Sequence, residues 1–542
     1  MPRMMKMPTI FTFFLTIVTF LTFSQAKADS TQISNDRILK FGIHVSAMGK
    51  LDPHFAAGSQ DRAFADMVFN GLLRYEPGNA PRIEPDLAQE TPEFKLIDGK
   101  QVWTILLRKG VMFHAGPKTE PYELTADDVV FSLNKSKDKK LCAYAGGYAD
   151  ITVKKIDLYT VQIILDKPVS PILFFPKIAN YGGGFIVSKK AIKTMGYDGF
   201  KRHPVGTGPF AFEALGKKYL SLKTHDRYFR GKPLLDGVQI YFIPDIKDRE
   251  KAFERGDLDV IAASNKKGWM ESLQNKENMI IDSHGVGEVA TIHFNTQIKP
   301  LDDIRVRQAI AFSLSRQGFL DTTNPKFSGG VYSPVPEQFL PGGLSLEDVR
   351  LLGLEYPQNI DKARQLLKDA GYPAGFTLDL VSSEKRVYRT YYDTLKKQLA
   401  KVNITCNVKI VTHSSMHKQI RKSSKPIVIY PAWRPNADVY LTRFFHSDSI
   451  VVTGKKPDTN FSHYNKIDKL IEAARLEIDP KKQINLWVQA QIRILNDMVA
   501  YPIMYTKQLF IRKKYVDYGH ALISTMALYP QFTEKTNLNK NN

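Results

Sequence analysis

The chain has 542 residues, of which 43% are hydrophobic, and these values exclude a wholly disordered or fibrous protein. Its two cysteines, Cys142 and Cys406, are too few for a disulfide framework or a cysteine-based zinc site, and we expect two buried free thiols. Lys and Arg outnumber Asp and Glu by 76 to 55, so the net charge of +21 makes nucleic-acid binding a hypothesis to test.

The first 28 residues have the order of a secretory signal peptide. Arg3 and Lys6 precede an apolar run over 10–23, and Ala26-Lys27-Ala28 forms an Ala-x-Ala cleavage site. The run is shorter than the roughly 20 residues that span a bilayer, which argues against a membrane anchor. We therefore expect cleavage after Ala28 and a periplasmic protein. At the other end, the polar residues 533–542 are expected to form a disordered tail.

The rest of the chain alternates strand-like and helix-like segments. In chain order, the pattern predicts a strand at 102–107, a helix from Ala126 that is capped by Thr125 and Asp128, a hairpin of 151–156 with 160–165, a helix over 303–319, a helix over 360–370, a strand at 376–381 and a helix over 391–402. No domain-scale repeat accompanies this mixture. It predicts an α/β protein of several lobes in one body, and it argues against solenoids and propellers.

Motifs of the common enzyme classes are missing from the sequence, which has no Gly-x-Ser-x-Gly, Walker loop or His-Glu-x-x-His. The run GTGP at 206–209 lacks the third glycine of a dinucleotide loop and is interpreted as a tight turn. The acid pairs at 127–128 and 302–303 stand at predicted helix starts, where negative charge is stabilised by the helix dipole. We therefore expect no catalytic residues and no enzyme.

Metal and nucleic-acid sites are also disfavoured. His413 and His417 have the i, i+4 spacing of a ligand pair, but a stable metal site needs three or four ligands, so a solvated surface pair is expected. The positive charge is scattered, and no RNA- or DNA-binding signature accompanies it. We expect no metal, no cofactor and no nucleic-acid partner.

An ordered series of short motifs resembles one family. The motifs are LDPH at 51–54, VFNGLLRY at 68–75, IEPDLA at 83–88, LRKGVMFH at 107–114, LTADDV at 124–129, PVGTGPF at 204–210, FERGDLD at 253–259, DIRVRQA at 303–309 and ARQLL at 363–367. In order and type they resemble the family 5 extracellular solute-binding proteins, the peptide-binding components of ABC importers. The resemblance extends over nearly the whole chain after the signal peptide.

This resemblance implies a two-lobed periplasmic-binding-protein fold of the Venus-flytrap type, with an extra subdomain inserted in lobe I. Lobe I is then expected to comprise residues 29–76, 196–290 and 505–532, the inserted subdomain 77–195, and lobe II 291–504. The strand-like segments near 289–296 and 500–506 are expected to be the crossings between the lobes, which absorb the rotation when the lobes close.

The ligand is expected near Trp433, which ends an apolar run beginning at Val428. The family has a comparable tryptophan loop whose acid pairs with the ammonium of a bound peptide. Here Asn436 takes that position, which weakens the case for a free amino terminus, since a hydrogen bond to a charged group is worth about 1.5–3 kcal/mol. Asp438 is a substitute acid if the loop is re-aimed, and Arg434 favours an anionic ligand. The alternative is a strand-to-loop corner with Trp433 in the core.

Two further places are candidate ligand sites. Arg386 and Arg389 precede a helix of lobe II, near where relatives place an arginine that binds a carboxylate, and a guanidinium can bind a carboxylate through two parallel hydrogen bonds. The alternative is an exposed helix start. Tyr181 and Gly183 belong to a glycine-rich turn that brings backbone close to a ligand, or that is simply a hairpin corner.

The sequence therefore predicts a monomeric periplasmic binding protein that captures short peptides by lobe closure and delivers them to an inner-membrane ABC permease. Other cargoes stay open within the same fold: haem, a nickel chelate, a sugar-phosphate conjugate or a modified peptide. A basic surface-adhesion protein is the alternative from another class, since the mature chain remains strongly positive.

Overall fold

The computed structural model describes residues 37–56, 58–263, 278–285 and 288–540. The signal peptide predicted over 1–28 lies outside these residues. The helices are α1 (Ser59–Val68), α2 (Ala126–Lys137), α3 (Pro171–Ile178), α4 (Lys189–Arg202), α5 (Ile246–Glu254), α6 (Ile304–Ser313), α7 (Arg316–Leu320), α8 (Leu346–Leu351), α9 (Ile360–Asp369), α10 (Arg386–Leu399), α11 (His413–Ile420), α12 (Ala437–Phe445), α13 (Asp468–Leu476) and α14 (Pro480–Asn496). Among the described residues, none of these helices has the length and apolar character needed to cross a membrane.

The strands divide into separate sheets. They are β1 (Ile38–Ile43), β2 (Leu73–Tyr75), β3 (Ile83–Pro85), β4 (Glu93–Ile97), β5 (Lys100–Leu106), β6 (Ile151–Lys155), β7 (Thr160–Leu165), β8 (Phe210–Leu215), β9 (Tyr219–Thr224), β10 (Gly237–Phe242), β11 (Val260–Ala262), β12 (Met279–His284), β13 (Val289–Phe294), β14 (Ser328–Gly330), β15 (Phe376–Ser383), β16 (Ile404–Val411), β17 (Ile427–Ala432), β18 (Ala500–Thr506), β19 (Gln508–Lys513), β20 (Val516–Asp517) and β21 (Asn537–Leu538).

A seven-stranded mixed sheet forms the centre of lobe I, in the order β12-β19-β11-β1-β10-β9-β8. Strand β1 pairs in parallel with both β10 and β11, while the other pairs are antiparallel. Its outermost members in sequence are β1 and β19. Lobe I is therefore built from segments that are far apart in the chain.

The inserted subdomain contains the antiparallel sheet β4-β5-β7-β6. The predicted hairpin is confirmed as β6 with β7, and Thr125 and Asp128 form the predicted capping box at the start of α2. One continuous hydrophobic core joins this sheet to lobe I, from Phe41 in β1 to Trp103 in β5. The subdomain and lobe I thus share one hydrophobic interior.

Lobe II contains the antiparallel sheet β14-β18-β13-β17 and the parallel pair β15-β16. Helix α10 connects β15 to β16, because parallel neighbours need a crossover rather than a tight turn. The helix predicted over 303–319 is wrong in one respect, since it is interrupted. Leu314 is extended, and Ser315 caps a second helix, α7, by accepting a hydrogen bond from the Gly318 amide.

The chain passes between the two large sheets twice. It leaves the sheet of lobe I at the end of β12 and enters the sheet of lobe II at β13, and it returns from β18 to β19 through Lys507. The predicted crossing segments 289–296 and 500–506 are themselves paired strands of lobe II, β13 with β18. The passages therefore lie just outside them, before Val289 and after Thr506.

Residues 533–540, predicted as a disordered tail, are ordered in the structure. Strand β21 pairs with β20, with Leu538 opposite Val516. Thr536 is buried, and its hydroxyl donates to the Tyr518 carbonyl at 3.1 Å. A polar composition alone did not reveal these pairings, because they depend on a partner strand about twenty residues earlier in the chain.

Candidate functional site

Trp433 lies at the boundary between the lobes. It follows β17 of lobe II, but its half-buried ring packs against the core of lobe I. The Arg62 guanidinium of α1 lies 5.9 Å from the centroid of the Trp433 ring and donates to the Tyr181 hydroxyl at 2.5 Å. Two predicted site residues, Trp433 and Tyr181, thus meet through Arg62, which sequence reasoning missed because nothing in α1 marks it.

A cavity of about 730 Å³ lies beside this contact. Its walls include Tyr181 and Gly183 from lobe I, and Asn436, Asp438 and Arg443 from lobe II. This space, together with the region around Trp433, is called the cleft below. Four of the predicted site residues therefore line one cavity between the two lobes.

The glycine-rich turn serves internal packing. A side-chain carbon on Gly183 would come within 2.6 Å of the Tyr148 ring, and the Gly183 carbonyl accepts from the Ser136 hydroxyl at 2.7 Å. Gly182 has a φ of +56° and lies against the Tyr144 ring. The glycines let two tyrosines pack closely behind the turn, and this packing presents Tyr181 at the wall of the cleft.

The two polar residues of the loop after Trp433 already have partners. Asn436 is the N-cap of α12, and its side-chain oxygen accepts from the Val439 amide at 2.9 Å. Asp438 accepts from Arg475 Nε at 2.9 Å and from its NH2 group at 3.4 Å, and the Asp438 side chain is only 14% exposed. Arg475 on α13 therefore neutralises the acid that the sequence offered for an ammonium group.

Arg434 carries a charge that no described carboxylate neutralises. Its NH1 donates to the Trp433 carbonyl at 2.8 Å, and the guanidinium lies 4.8 Å from the Phe444 ring centroid. Its Nε is buried without a hydrogen-bond partner. Burial lowers the pKa of Arg434, and the neighbouring Arg443 lowers it further. Arg443 itself is paired with Asp458 at 3.1 Å.

Arg386 and Arg389 lie in the first turn of α10 and are exposed. The structure gives neither residue a hydrogen bond or ion pair within the described parts of the chain, and neither lines the 730 Å³ cavity. Lys385, the N-cap residue of this helix, is a third cation here, and its amide donates to the Ser383 hydroxyl at 3.1 Å. Their role as carboxylate ligands stays a prediction.

Glu288 is a further residue that sequence reasoning missed. It stands directly before β13, and its carbonyl accepts from the Thr506 amide at 3.0 Å. Its side chain has an exposed face but is also enclosed by protein on several sides. This enclosure raises the pKa of Glu288, whereas the charge of Lys385 lowers it. The one available signal was a lone acid directly before an apolar strand.

The histidine pair is half-buried rather than fully solvated. The Nε2 atoms of His413 and His417 are 3.2 Å apart, and the rings pack against Tyr388 and Tyr430. Burial and then the neighbouring His413 lower the pKa of His417 to about 4. Among the described residues, no group of three or more His, Cys, Asp or Glu side chains is placed to hold a metal ion.

Both cysteines are buried free thiols, as predicted. Burial raises the pKa of Cys142, and it raises the pKa of Cys406 to about 11. Because the thiolate is the reactive form, both groups are kept unreactive at neutral pH.

The inserted subdomain also contacts lobe II. The Ser170 hydroxyl, at the start of α3, donates to the Gln483 side-chain oxygen on α14 at 2.6 Å, and both groups are buried. Ile172 and Leu173 pack against a core cluster of lobe II. A second cavity of about 290 Å³ lies beside this contact and is lined by Phe175, Pro435 and Trp487. Surfaces of both lobes thus meet on two sides of the loop that follows Trp433.

Comparison with known proteins agrees with this architecture. The family model described as "Bacterial extracellular solute-binding proteins, family 5 Middle" matches residues 82–450. The dipeptide-binding protein of Escherichia coli K12 is 26% identical over 496 residues, covering 86% of this chain and 88% of that protein. Heme-binding protein A of Haemophilus influenzae is 25% identical over 479 residues, covering 83% of each chain.

A solved structure is more similar in sequence. It is MoaA of A. tumefaciens R10 in complex with mannopinic acid, which is 35% identical, has a TM-score of 0.74, and matches over 93% of this chain and 100% of that chain. The predicted two-lobed fold is confirmed by such neighbours. The chain belongs to the family 5 extracellular solute-binding proteins, the ligand-binding components of ABC importers.

Proposed function

We propose that this protein captures a small solute bearing a carboxylate in the cleft beside Trp433 and releases it, chemically unchanged, to an ABC permease of the inner membrane. The observation that carries the proposal is the guanidinium of Arg434. It is largely enclosed, its Nε has no partner, and no described carboxylate lies within ion-pair distance. Buried charges in proteins are normally paired, because an unpaired charge loses its hydration without compensation.

A ligand carboxylate supplies the missing partner. It replaces lost hydration with charge-assisted hydrogen bonds, which are stronger than those between neutral groups. Trp433 and Tyr181 then provide aromatic walls for the rest of the solute. Arg62, which touches both rings, adds positive charge at the same place.

Two ligand classes carry such a group. Short peptides have a terminal carboxylate, and the similarity to a dipeptide-binding protein supports them. Organic acids such as mannopinic acid are the second class, supported by the likeness to MoaA. The neutral cap Asn436 and the paired Asp438 favour the second class, because neither residue offers a free carboxylate to a peptide ammonium group.

The setting of this activity follows from the sequence prediction. We infer that residues 1–28 direct export and are removed, that the mature protein acts as a periplasmic monomer, and that lobe closure brings Tyr181 and Trp433 together around the ligand. The proposed division is lobe I at 29–76, 196–290 and 505–532, the inserted subdomain at 77–195, and lobe II at 291–504, adjusted so that β13 and β18 lie wholly in lobe II. A role in surface adhesion would require no ligand-dependent closure.

The test combines identification with mutation. Native mass spectrometry of the purified mature protein, followed by release of any bound solute, is expected to find a carboxylate-bearing molecule. Thermal unfolding with L-alanyl-L-glutamate, glutathione or mannopinic acid added at 100 times its dissociation constant is expected to show about 2.7 kcal/mol of added stability for a true ligand.

Arg434→Gln should weaken binding of that ligand by tenfold or more, because it removes a charge-assisted contact worth about 1.5–3 kcal/mol. Arg305→Gln is the matched control, since Arg305 is exposed on α6 and pairs with Asp303 at 2.6 Å. A neutral bound solute, or equal affinity in both variants, would contradict the proposal.

A further inference from the structure

Glu288 lies where the two lobes and both crossings of the chain meet. Strand β13 pairs antiparallel with β17, and Val289 lies opposite Ala432. Extending this register by one residue places Glu288 opposite Trp433. The hydrogen bond from the Thr506 amide fixes its backbone against the second crossing. Glu288 therefore occupies the edge of the lobe II sheet from which Trp433 reaches lobe I.

The side chain of Glu288 has no partner in the described parts of the chain. No hydrogen bond or ion pair within 4.0 Å involves its carboxylate. It is nevertheless near three tyrosines, Tyr388, Tyr391 and Tyr440, because its negative charge contributes to raising the pKa of each. A carboxylate with aromatic surroundings and one open face attracts a cation strongly, since poorly polarisable walls screen the charge less than water does.

The other acids close to Trp433 and Arg434 are already neutralised. Asp438 is paired with Arg475 at 2.9 Å, and Asp458 is paired with Arg443 at 3.1 Å. Lys385 influences Glu288 electrostatically but forms no ion pair with it. Glu288 and Arg434 are thus a carboxylate and a guanidinium, on either side of Trp433, that both lack an oppositely charged partner among the described residues.

We propose that Glu288 binds a positively charged nitrogen of the same solute whose carboxylate Arg434 holds, so that the two residues together select a ligand carrying both charges. The proposal rests on the proposed function, because it assumes that the ligand lies beside Trp433. It moves the recognition of the ligand nitrogen from the loop after β17 to the neighbouring strand β13. The bound ligand would then bridge the hinge itself, since Glu288 belongs to one crossing and touches the other.

The experiment measures affinity by isothermal titration calorimetry. Wild-type protein is titrated with L-alanyl-L-glutamate, its N-acetyl derivative, glutathione and mannopinic acid. For the probes that bind, Glu288→Gln is expected to weaken binding about 10- to 100-fold, the range for a lost hydrogen bond to a charged group. Acetylation of the peptide should weaken binding to the wild type by a similar factor, and should have little further effect on Glu288→Gln.

Glu384→Gln is the matched control, because Glu384 is an exposed acid beside Lys385 and its removal changes the net charge equally. Glu288→Asp keeps the charge on a shorter side chain and should lie between the wild type and Glu288→Gln. Thermal unfolding of each ligand-free variant identifies any loss of folding. If Glu288→Gln misfolds, the comparison of acetylated with free peptide on wild-type protein decides, and equal affinities would overturn the proposal.

The two levels of inference fail differently. Unchanged affinity in Glu288→Gln, with affinity lost in Arg434→Gln, would overturn the role of Glu288 and leave the proposed function intact. Binding of none of the four probes to the wild type, or unchanged affinity in Arg434→Gln, would overturn the proposed ligand class and the role of Glu288 with it.

Discussion

The Thr506 amide donates to the Glu288 carbonyl at 3.0 Å, and this bond joins the two segments through which the chain passes between the lobes. Each segment has one end in a sheet of lobe I and the other in a sheet of lobe II. A rotation of the lobes about this place changes distances at the cleft far more than at the hinge itself. The hinge is therefore a pair of tied strands rather than two independent linkers.

Hydrogen exchange should reveal this hinge. The Thr506 amide is expected to exchange slowly both with and without ligand, because its bond to Glu288 lies near the rotation axis. Peptides that cover 181–184 and 433–436 are expected to gain protection when ligand is added, because these segments face each other across the cleft. Mass spectrometry with a ligand identified by calorimetry provides the measurement. Uniform protection changes across both lobes would contradict this hinge.

Asp438 is expected to stabilise lobe II rather than bind ligand. Asp438→Asn breaks the ion pair with Arg475, which is 2.9 Å long and partly buried, and should lower the free energy of unfolding by about 1 kcal/mol. Ligand affinity should change by less than threefold. Urea unfolding and calorimetry measure the two effects. A tenfold or greater loss of affinity for an amine-bearing ligand would show instead that Asp438 recognises the ligand.

The ion pair of Lys135 with Asp52 is expected to be essential for folding of lobe I with its subdomain. Both side chains are 1% exposed, and Lys135 Nζ also donates to the Leu141 carbonyl at 3.1 Å. Lys135→Ala leaves a buried carboxylate without its cation and should cost about 3–5 kcal/mol. Lys155→Ala is the control, because the surface pair of Lys155 with Asp127 contributes at most about 1 kcal/mol. Urea unfolding of the two variants should separate them clearly.

Asp66 should make stability depend on pH between about 4 and 6. Burial raises the pKa of this carboxyl from 3.8 to about 6, although Gln531 and Asn180 donate to it. The folded state therefore holds a proton in this window that the unfolded state has released. Stability from this group is fully present below pH 4 and decreases as the pH rises to 6, by about 1–2 kcal/mol.

Asp66→Asn removes this titration, so the difference in unfolding free energy between wild type and variant should change across that window and stay constant above it. Urea titrations at pH 4, 5, 6 and 7 measure the difference. A difference that does not vary with pH would mean that Asp66 keeps its ordinary pKa. Asp198→Asn serves as a control, because Asp198 is 82% exposed.

Several features were predictable because they depend on neighbours in sequence. The capping box of α2 and the hairpin of β6 with β7 are local, so residue order and spacing were sufficient. The ordered motifs identified the family for the same reason. The LDPH motif illustrates the limit, since the position of Asp52 was visible but its buried partner Lys135, 83 residues away, was not.

The sequence by itself determined the family, the two-lobed α/β fold and the importance of the loop after Trp433. Only the tertiary structure decided which charged groups in that loop have partners. Arg475 comes from another helix to neutralise Asp438, while Arg434 and Glu288 are left with none among the described residues. The physical reason is that electrostatic pairing depends on distance in space, and folding brings together charges that lie tens to hundreds of residues apart in the chain.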